Sequence, residues 1–162
     1  MPGRWQVANA LWLQVGWWIC VLGAQRPWLL LLVPLGLALH LCLCRDFNAE
    51  VKALLRTALA GCALDSLLGA FDVFRFDSWP LPLWLALLWL VLASGLRHSL
   101  AWAGGSFWRG ALLGAVAGPL AYVGGARVAY VDLPLGTMET GLLLSAIWAL
   151  AFPLLVYIAA WR

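Results

Sequence analysis

Asp65 is the residue whose type and position point most directly to chemistry. It lies near the middle of an apolar stretch long enough to cross a bilayer, and no Lys, Arg or His lies at a comparable depth in any other predicted span. A carboxyl group at that depth is costly unless it is neutral, hydrogen-bonded or bound to a cation. Asp65 is therefore the leading candidate for a proton or cation site, or for a polar anchor of a lipid head group or substrate.

A purely structural role for Asp65 is an equally weighted alternative, because interhelical hydrogen bonds stabilise membrane helices by about 0.6–2 kcal/mol. Gly61 and Gly69 flank Asp65 at four-residue intervals, which predicts that its side chain faces a neighbouring helix. Without a cation nearby, we expect the buried carboxyl group to be in its neutral form. The candidate hydrogen-bond partners at similar depth are Gln14, Trp89, Ser94 and Ser145.

Three further polar residues are candidates for an intramembrane site together with Asp65. Asn9 and Gln14 are too polar to face lipid, so their side of the first apolar segment should face other helices. Hydrogen bonding between helices is preferred there over contact with a substrate. Tyr122 needs a partner for its hydroxyl group, and it continues a helix face of small residues that lets a second helix approach closely. Those small residues are Gly110, Gly114 and Gly118.

A second candidate region lies at the predicted inner surface of the membrane. Glu50, Arg97 and His98 fall near the inner ends of two different spans, where they could together contact an anionic head group. A single His at a membrane edge more often contacts water or phosphate than it serves as a catalyst.

The four cysteines do not form a recognisable ligand pattern. No Cys-x-x-Cys pair is present, and Cys42-Leu-Cys44 with His40 nearby is only a weak metal signature. Small apolar packing residues are the preferred interpretation. The sequence therefore predicts no metal and no cofactor.

The composition indicates the class of protein to which these residues belong. Of 162 residues, 65% are hydrophobic and 10% are charged, against roughly 25% charged in soluble domains. The basic residues are spread singly, which argues against a nucleic-acid partner. The sequence lacks the common hydrolase, zinc-protease and nucleotide-binding motifs, so we lean against an enzyme. It also shows no inverted repeat, which weakens a transporter interpretation.

The hydropathy pattern predicts an all-α polytopic membrane bundle in a single domain over 1–162. The third span is the least obvious because it holds Arg56, Asp65 and Asp72, and an interfacial amphipathic helix is its alternative. Whether 125–140 re-enters the membrane stays open. The six spans are 5–23, 28–44, 53–74, 83–100, 106–122 and 141–160.

Basic residues predict the orientation of the chain. Seven lie on one side and three on the other, which favours both termini on the inner side. The inner set is Arg4, Arg45, Lys52, Arg56, Arg97, Arg109 and Arg162, and the outer set is Arg26, Arg75 and Arg127.

Short motifs spread over most of the chain carry a family resemblance. They are Asn9-Ala10-Leu11 with Gly16-Trp17 and Cys20-Val21; Gly61 to Asp65-Ser66 with Gly69; Pro82, Trp84 and Trp89 with Ser99-Leu100 and Trp102; and Gly114 to Gly118-Pro119-Leu120 with Tyr122. In these motifs the chain resembles a family of uncharacterised bacterial inner-membrane proteins, the domain of unknown function 2878. The resemblance implies a multi-pass protein of the bacterial inner membrane and favours a lipid-linked role. It identifies no catalytic residue in this chain.

Three functions are compatible with the sequence. The first is a non-enzymatic membrane protein that binds or helps to process lipid, as a partner of membrane enzymes. The second is a small transporter or channel that uses Asp65 as its proton or ion site. The third is a membrane-embedded enzyme that acts on acyl chains. We prefer the first, because the chain is short and lacks a convergent catalytic set.

Overall fold

The chain folds as a bundle of α-helices in a computed structural model that describes residues 3–78 and 80–161. Within those residues there are six α-helices and no β-strand, so the predicted all-α class is confirmed. Arg162, counted above on the inner side, lies outside them. The helices are α1 (Arg4–Gly23), α2 (Leu32–Leu43), α3 (Phe47–Ala70), α4 (Leu83–Leu96), α5 (Phe107–Ala129) and α6 (Thr137–Ala160), with 3₁₀ helices at Pro27–Leu31 and Ala101–Gly105.

Three of these helices, α3, α5 and α6, are long and apolar enough to cross a membrane. The continuous helical stretch Pro27–Leu43 and helix α4 are also apolar but shorter. Large apolar side chains such as Leu59 and Leu142 are exposed on the outside of the bundle. In water such a surface would promote aggregation, whereas in a bilayer it contacts lipid.

Helix α3 begins six residues before the predicted span and ends four residues before its predicted end. The side chain of Asp46 caps the new start by accepting a hydrogen bond of 3.0 Å from the Ala49 backbone N–H. The helix stops where Asp72 adopts a left-handed backbone conformation with φ of 59°. The earlier start places Glu50 in the first turn of α3.

Helices α5 and α6 also extend further than predicted and pack closely along their length. Only residues 130–136 connect them, instead of the predicted 125–140. Gly114 and Gly118 lie directly against Trp148, and Gly110 lies against Pro153. Side chains larger than hydrogen at these positions would separate the two helices.

Helix α4 contacts α1, α2, α3 and α6, so it lies at the centre of the bundle. Its Trp89 is buried and stacks on Trp148 of α6, with ring centroids 5.7 Å apart and planes 5° from parallel. Aromatic pairs in this geometry add about 0.5–1.5 kcal/mol beyond the area that they bury. This pair joins α4 and α6 next to Asp65 of α3.

Candidate functional site

Asp65 is fully buried and accepts one hydrogen bond on each carboxyl oxygen. The indole N–H of Trp89 donates to Oδ2 at 2.7 Å, and the hydroxyl of Tyr122 donates to Oδ1 at 2.6 Å. Among the described residues, no cationic side chain contacts this carboxyl group. The three residues join α3, α4 and α5, and both donors are neutral.

Glycine makes this arrangement sterically possible. Gly61 lies one turn before Asp65, and a Cβ atom there would overlap the indole ring of Trp89. The missing side chain lets Trp89 lie across α3 with its N–H directed at the acid. Gly69, one turn after Asp65, lies instead against Phe76 in the connection that follows the same helix.

The other polar residues near this depth have partners elsewhere. Asn9 is buried, donates to the backbone oxygen of Ser94 at 3.0 Å and accepts from Ser99, whose hydroxyl lies 2.6 Å away. Ser145 donates to the backbone oxygen of Ala115 at 2.7 Å. These contacts connect helices, but they do not bring Asn9, Ser94 or Ser145 to Asp65.

A cavity of about 700 Å³ lies next to Asp65, on the far side of its two donors. Trp89 and Tyr122 are part of the cavity wall, and Gln14 lines it from α1. The remaining lining is mainly apolar and comes from α1, α4, α5 and α6 and from the connection between α4 and α5. Trp148 also lines the cavity, and its buried indole N–H has no hydrogen-bond partner in the described part of the chain.

The predicted inner-surface residues meet at a second site, centred on Glu50. This residue is 2% exposed, and its Oε2 accepts a hydrogen bond of 3.1 Å from Arg97. Its Oε1 lies 3.2 Å from Nε2 of His98 and 3.0 Å from Nε2 of His40. The structure thus brings the three predicted residues together, while their contact with a head group stays a prediction.

Three more residues belong to this second site: His40 and Cys44, which the sequence offered only as a weak metal signature, and Trp5, which was not predicted to lie there. His40 and Cys44 are one helical turn apart, and Cys44 Sγ lies 3.6 Å from Nε2 of His40 and 3.8 Å from Nε2 of His98. Trp5 donates its indole N–H to Nδ1 of His98 at 3.1 Å. The four-residue spacing of His40 and Cys44 was the available signal. This spacing indicates a site only in the folded chain, where His98 and Glu50 join the pair from distant positions in the sequence.

The two sites can do different chemistry. Around Asp65 a single carboxyl group faces neutral donors, so it can hold a proton or a polar group of a ligand. Around Glu50 a carboxylate, two imidazoles and a thiol converge, with a guanidinium group beside them. That second set is suited to proton exchange or to metal coordination.

Comparison with known protein families now places the chain. Residues 6–154, from α1 to α6, match the model of a family described as Protein of unknown function (DUF2878). The chain belongs to this family. The matched region of this DUF2878 member contains both the Asp65 and the Glu50 sites. Neither curated proteins nor solved structures gave a match.

Proposed function

We propose that this DUF2878 protein is an integral membrane protein that holds the hydrocarbon chain of a membrane lipid in the cavity beside Asp65. The observation that carries the proposal is the mainly apolar cavity of about 700 Å³ inside a helix bundle with an apolar exterior. Small-molecule sites are typically apolar cavities of about 300–1,000 Å³ with a few polar groups that orient the ligand. Here the Gln14 side chain, which lines the cavity, supplies such a group.

The route into the cavity supports a lipid rather than a water-soluble ligand. Trp102 and Leu120 line the cavity and are 58% and 69% exposed, so its wall reaches the outer surface of the bundle. In a membrane, this surface is where hydrocarbon chains are available at high concentration. The protein would then act as a lipid-binding partner of other membrane enzymes, rather than as a catalyst.

The proposed setting is the bacterial inner membrane, with six spans and both termini inside. The described ends of α2, α3 and α4 support this orientation, because Arg45, Lys52 and Arg97 lie where those helices end or begin at the Glu50 site. An excess of Lys and Arg residues at one end of the spans favours the cytoplasmic side for that end.

Native mass spectrometry with lipid analysis of the co-purified material tests lipid binding. Ala117 lines the cavity and is exposed, so Ala117→Phe should fill the space without displacing core residues. Ala146 of α6 is also exposed but does not line the cavity, so Ala146→Phe is the matched control. We expect wild type and Ala146→Phe to retain a lipid that Ala117→Phe loses. Equal lipid retention in all three proteins would contradict the proposal.

A transporter or channel is the second candidate, and one observation favours it. Both donors to Asp65 line the cavity, so a movement of either side chain would connect the acid to the cavity. Proton- or ion-coupled uptake into proteoliposomes, lost in Asp65→Asn, would favour this function over lipid binding. An acyl-chain enzyme has less support, because the direct partners of Asp65 are an indole and a phenol.

A further inference from the structure

We propose that His40, Cys44, Glu50 and His98 form a binding site for one divalent zinc-class metal ion at the predicted inner end of the bundle. One potential ligand atom from each residue lies within 4.8 Å of the other three. Two imidazoles, a thiol and a carboxylate are the ligand types that zinc prefers, whereas Mg²⁺ and Ca²⁺ prefer oxygen alone. This site is separate from the lipid cavity and does not depend on its function.

The distances between the ligand atoms support one shared ion. Zinc bonds of about 2.0–2.3 Å place neighbouring ligand atoms of a tetrahedral site about 3.3–3.8 Å apart. The two Sγ–Nε2 distances at Cys44 are 3.6 and 3.8 Å, within that range. The two Nε2–Oε1 distances at Glu50 are 3.0 and 3.2 Å, as expected for hydrogen bonds. These atoms would separate by a few tenths of an ångström around an ion.

The local fold explains why the four residues converge. His40 and Cys44 lie on one face at the end of α2, and a short connection leads to the Asp46 cap of α3. Glu50 follows one turn later, and His98 is the second residue after the end of α4. A bound ion would therefore join the ends of α2, α3 and α4. Four protein ligands leave no open position, which is typical of a structural site.

Arg97 holds the carboxylate in a suitable orientation. It binds Oε2 of Glu50, which leaves Oε1 directed at the two imidazoles. Partners of this kind orient metal ligands in known sites. Ion binding would release the thiol proton of Cys44 to solvent, and each neutral imidazole would carry its proton on Nδ1 instead of Nε2.

Trp5 provides a specific consequence of this proton arrangement. Its indole N–H donates to Nδ1 of His98, and its ring stacks on His40 with centroids 5.9 Å apart. An imidazole that binds metal through Nε2 has a hydrogen on Nδ1, so it cannot accept this bond. The Trp5 indole must turn away when the ion binds. Trp5→Phe removes the competing hydrogen bond and should bind metal at least as tightly as the wild type.

The test uses the full-length protein in lipid nanodiscs, with Zn²⁺ and Co²⁺ as probes. We expect one Zn²⁺ per chain and a thiolate-to-cobalt absorption band after loading with Co²⁺. Cys44→Ser should lose the band and most of the bound zinc, while Cys42→Ser should keep both. Cys42 is an exposed free thiol two residues away, so it is the matched control.

A measurement on the wild type keeps the test valid if Cys44→Ser misfolds. Zn²⁺ should protect Cys44 from maleimide labelling and leave the labelling of Cys42 unchanged, as peptide mass spectrometry can show. Absence of stoichiometric metal, a cobalt spectrum without a thiolate band, or equal labelling of Cys44 with and without Zn²⁺ would each overturn the proposal. The cluster would then be a metal-free hydrogen-bond network.

Discussion

Helix α3 carries two buried acids, and their surroundings differ completely. Glu50 lies in its first turn among Arg97, His40 and His98, whereas within the described part of the chain Asp65 accepts hydrogen bonds only from the neutral donors Trp89 and Tyr122. The two acids are 15 residues apart, which corresponds to about 22 Å along the helix. At the end of the bundle Arg97 can compensate Glu50 while its own side chain remains 27% exposed. At the depth of Asp65 a cation would have to lose its water, which is far more costly.

The comparison shows that burial alone does not define the role of an acid. Glu50 and Asp65 are buried to a similar extent, but the first is part of a charged network and the second of a neutral one. The partners therefore determine how each site responds to substitution. Four substitutions test this difference, in order of decreasing expected effect.

Glu50→Ala should cause the largest loss of stability, about 3 kcal/mol. It leaves Arg97 without its carboxylate, and breaking a buried ion pair typically costs about 3–5 kcal/mol. The lower end of that range applies because Arg97 is partly exposed. Unfolding in mixed micelles, followed by circular dichroism, measures the change. Glu139→Ala, at an exposed position in the first turn of α6, is the control. Similar losses of stability in Glu50→Ala and Glu139→Ala would mean that the network around Glu50 stabilises the protein no more than a solvated charge does.

Gly61→Ala should destabilise the protein by about 1–3 kcal/mol, the usual cost of adding a methyl group to a packed core. The new methyl group would overlap Trp89 and displace its N–H from Asp65. Gly124→Ala, in α5, meets no atom within 4 Å and should instead stabilise the helix by about 0.5–1 kcal/mol. The same unfolding assay compares them. If both variants were stabilised, Trp89 would not be held by close packing on α3.

Much of the helical architecture was predictable, because hydropathy and helix propensity act locally along the chain. The starts of α1 and α4 and the end of α6 lie within one residue of their predicted positions. The start of α3 lies six residues before the predicted span, because a hydropathy pattern leaves the polar residues around Glu50 out of a membrane span. They fold as a helix because Asp46 caps the first turn and the Glu50 side chain has hydrogen-bond partners in the folded chain.

The two sites were predictable only in part, because their residues are far apart in the sequence. Trp89 was a candidate partner of Asp65 because both lie at a similar predicted depth. Choosing Trp89 over Ser94 or Gln14 requires the rotation of each helix, which tertiary packing sets. The Glu50 site combines residues separated by as many as 93 positions in the sequence, from Trp5 to His98. Local patterns in one sequence do not reveal such a combination.

Asp65→Asn should cost only about 1 kcal/mol, because the amide keeps the shape of the acid and one acceptor oxygen. The Tyr122 hydroxyl can rotate to accept from the new amide group. Infrared difference spectra between wild type and Asp65→Asn would show the protonation state directly. We expect the band of a neutral carboxyl group, because the partners are neutral. Carboxylate bands at neutral pH would instead mean that two neutral donors are enough to hold a charge there.

Asp72→Asn should have the smallest effect, although its hydrogen bonds are shorter than those of Glu50. Arg75 donates to Asp72 at 2.8 and 2.7 Å, but both side chains are more than half exposed, so water and salt screen the pair. Asparagine tolerates the left-handed backbone at this position, so the substitution isolates the charge.

The effect of Asp72→Asn on stability should depend on pH, and the direction of that dependence follows from the pKa of Asp72. The hydrogen bonds from Arg75 hold the pKa of Asp72 below its ordinary value. Its stabilising contribution is therefore present above the ordinary pKa and is lost as the pH falls through the lowered one. The melting temperatures of variant and wild type should differ slightly at neutral pH and converge in acid. A difference at neutral pH as large as that of Glu50→Ala would mean that bond length, rather than exclusion from water, determines the strength of ion pairs in this bundle.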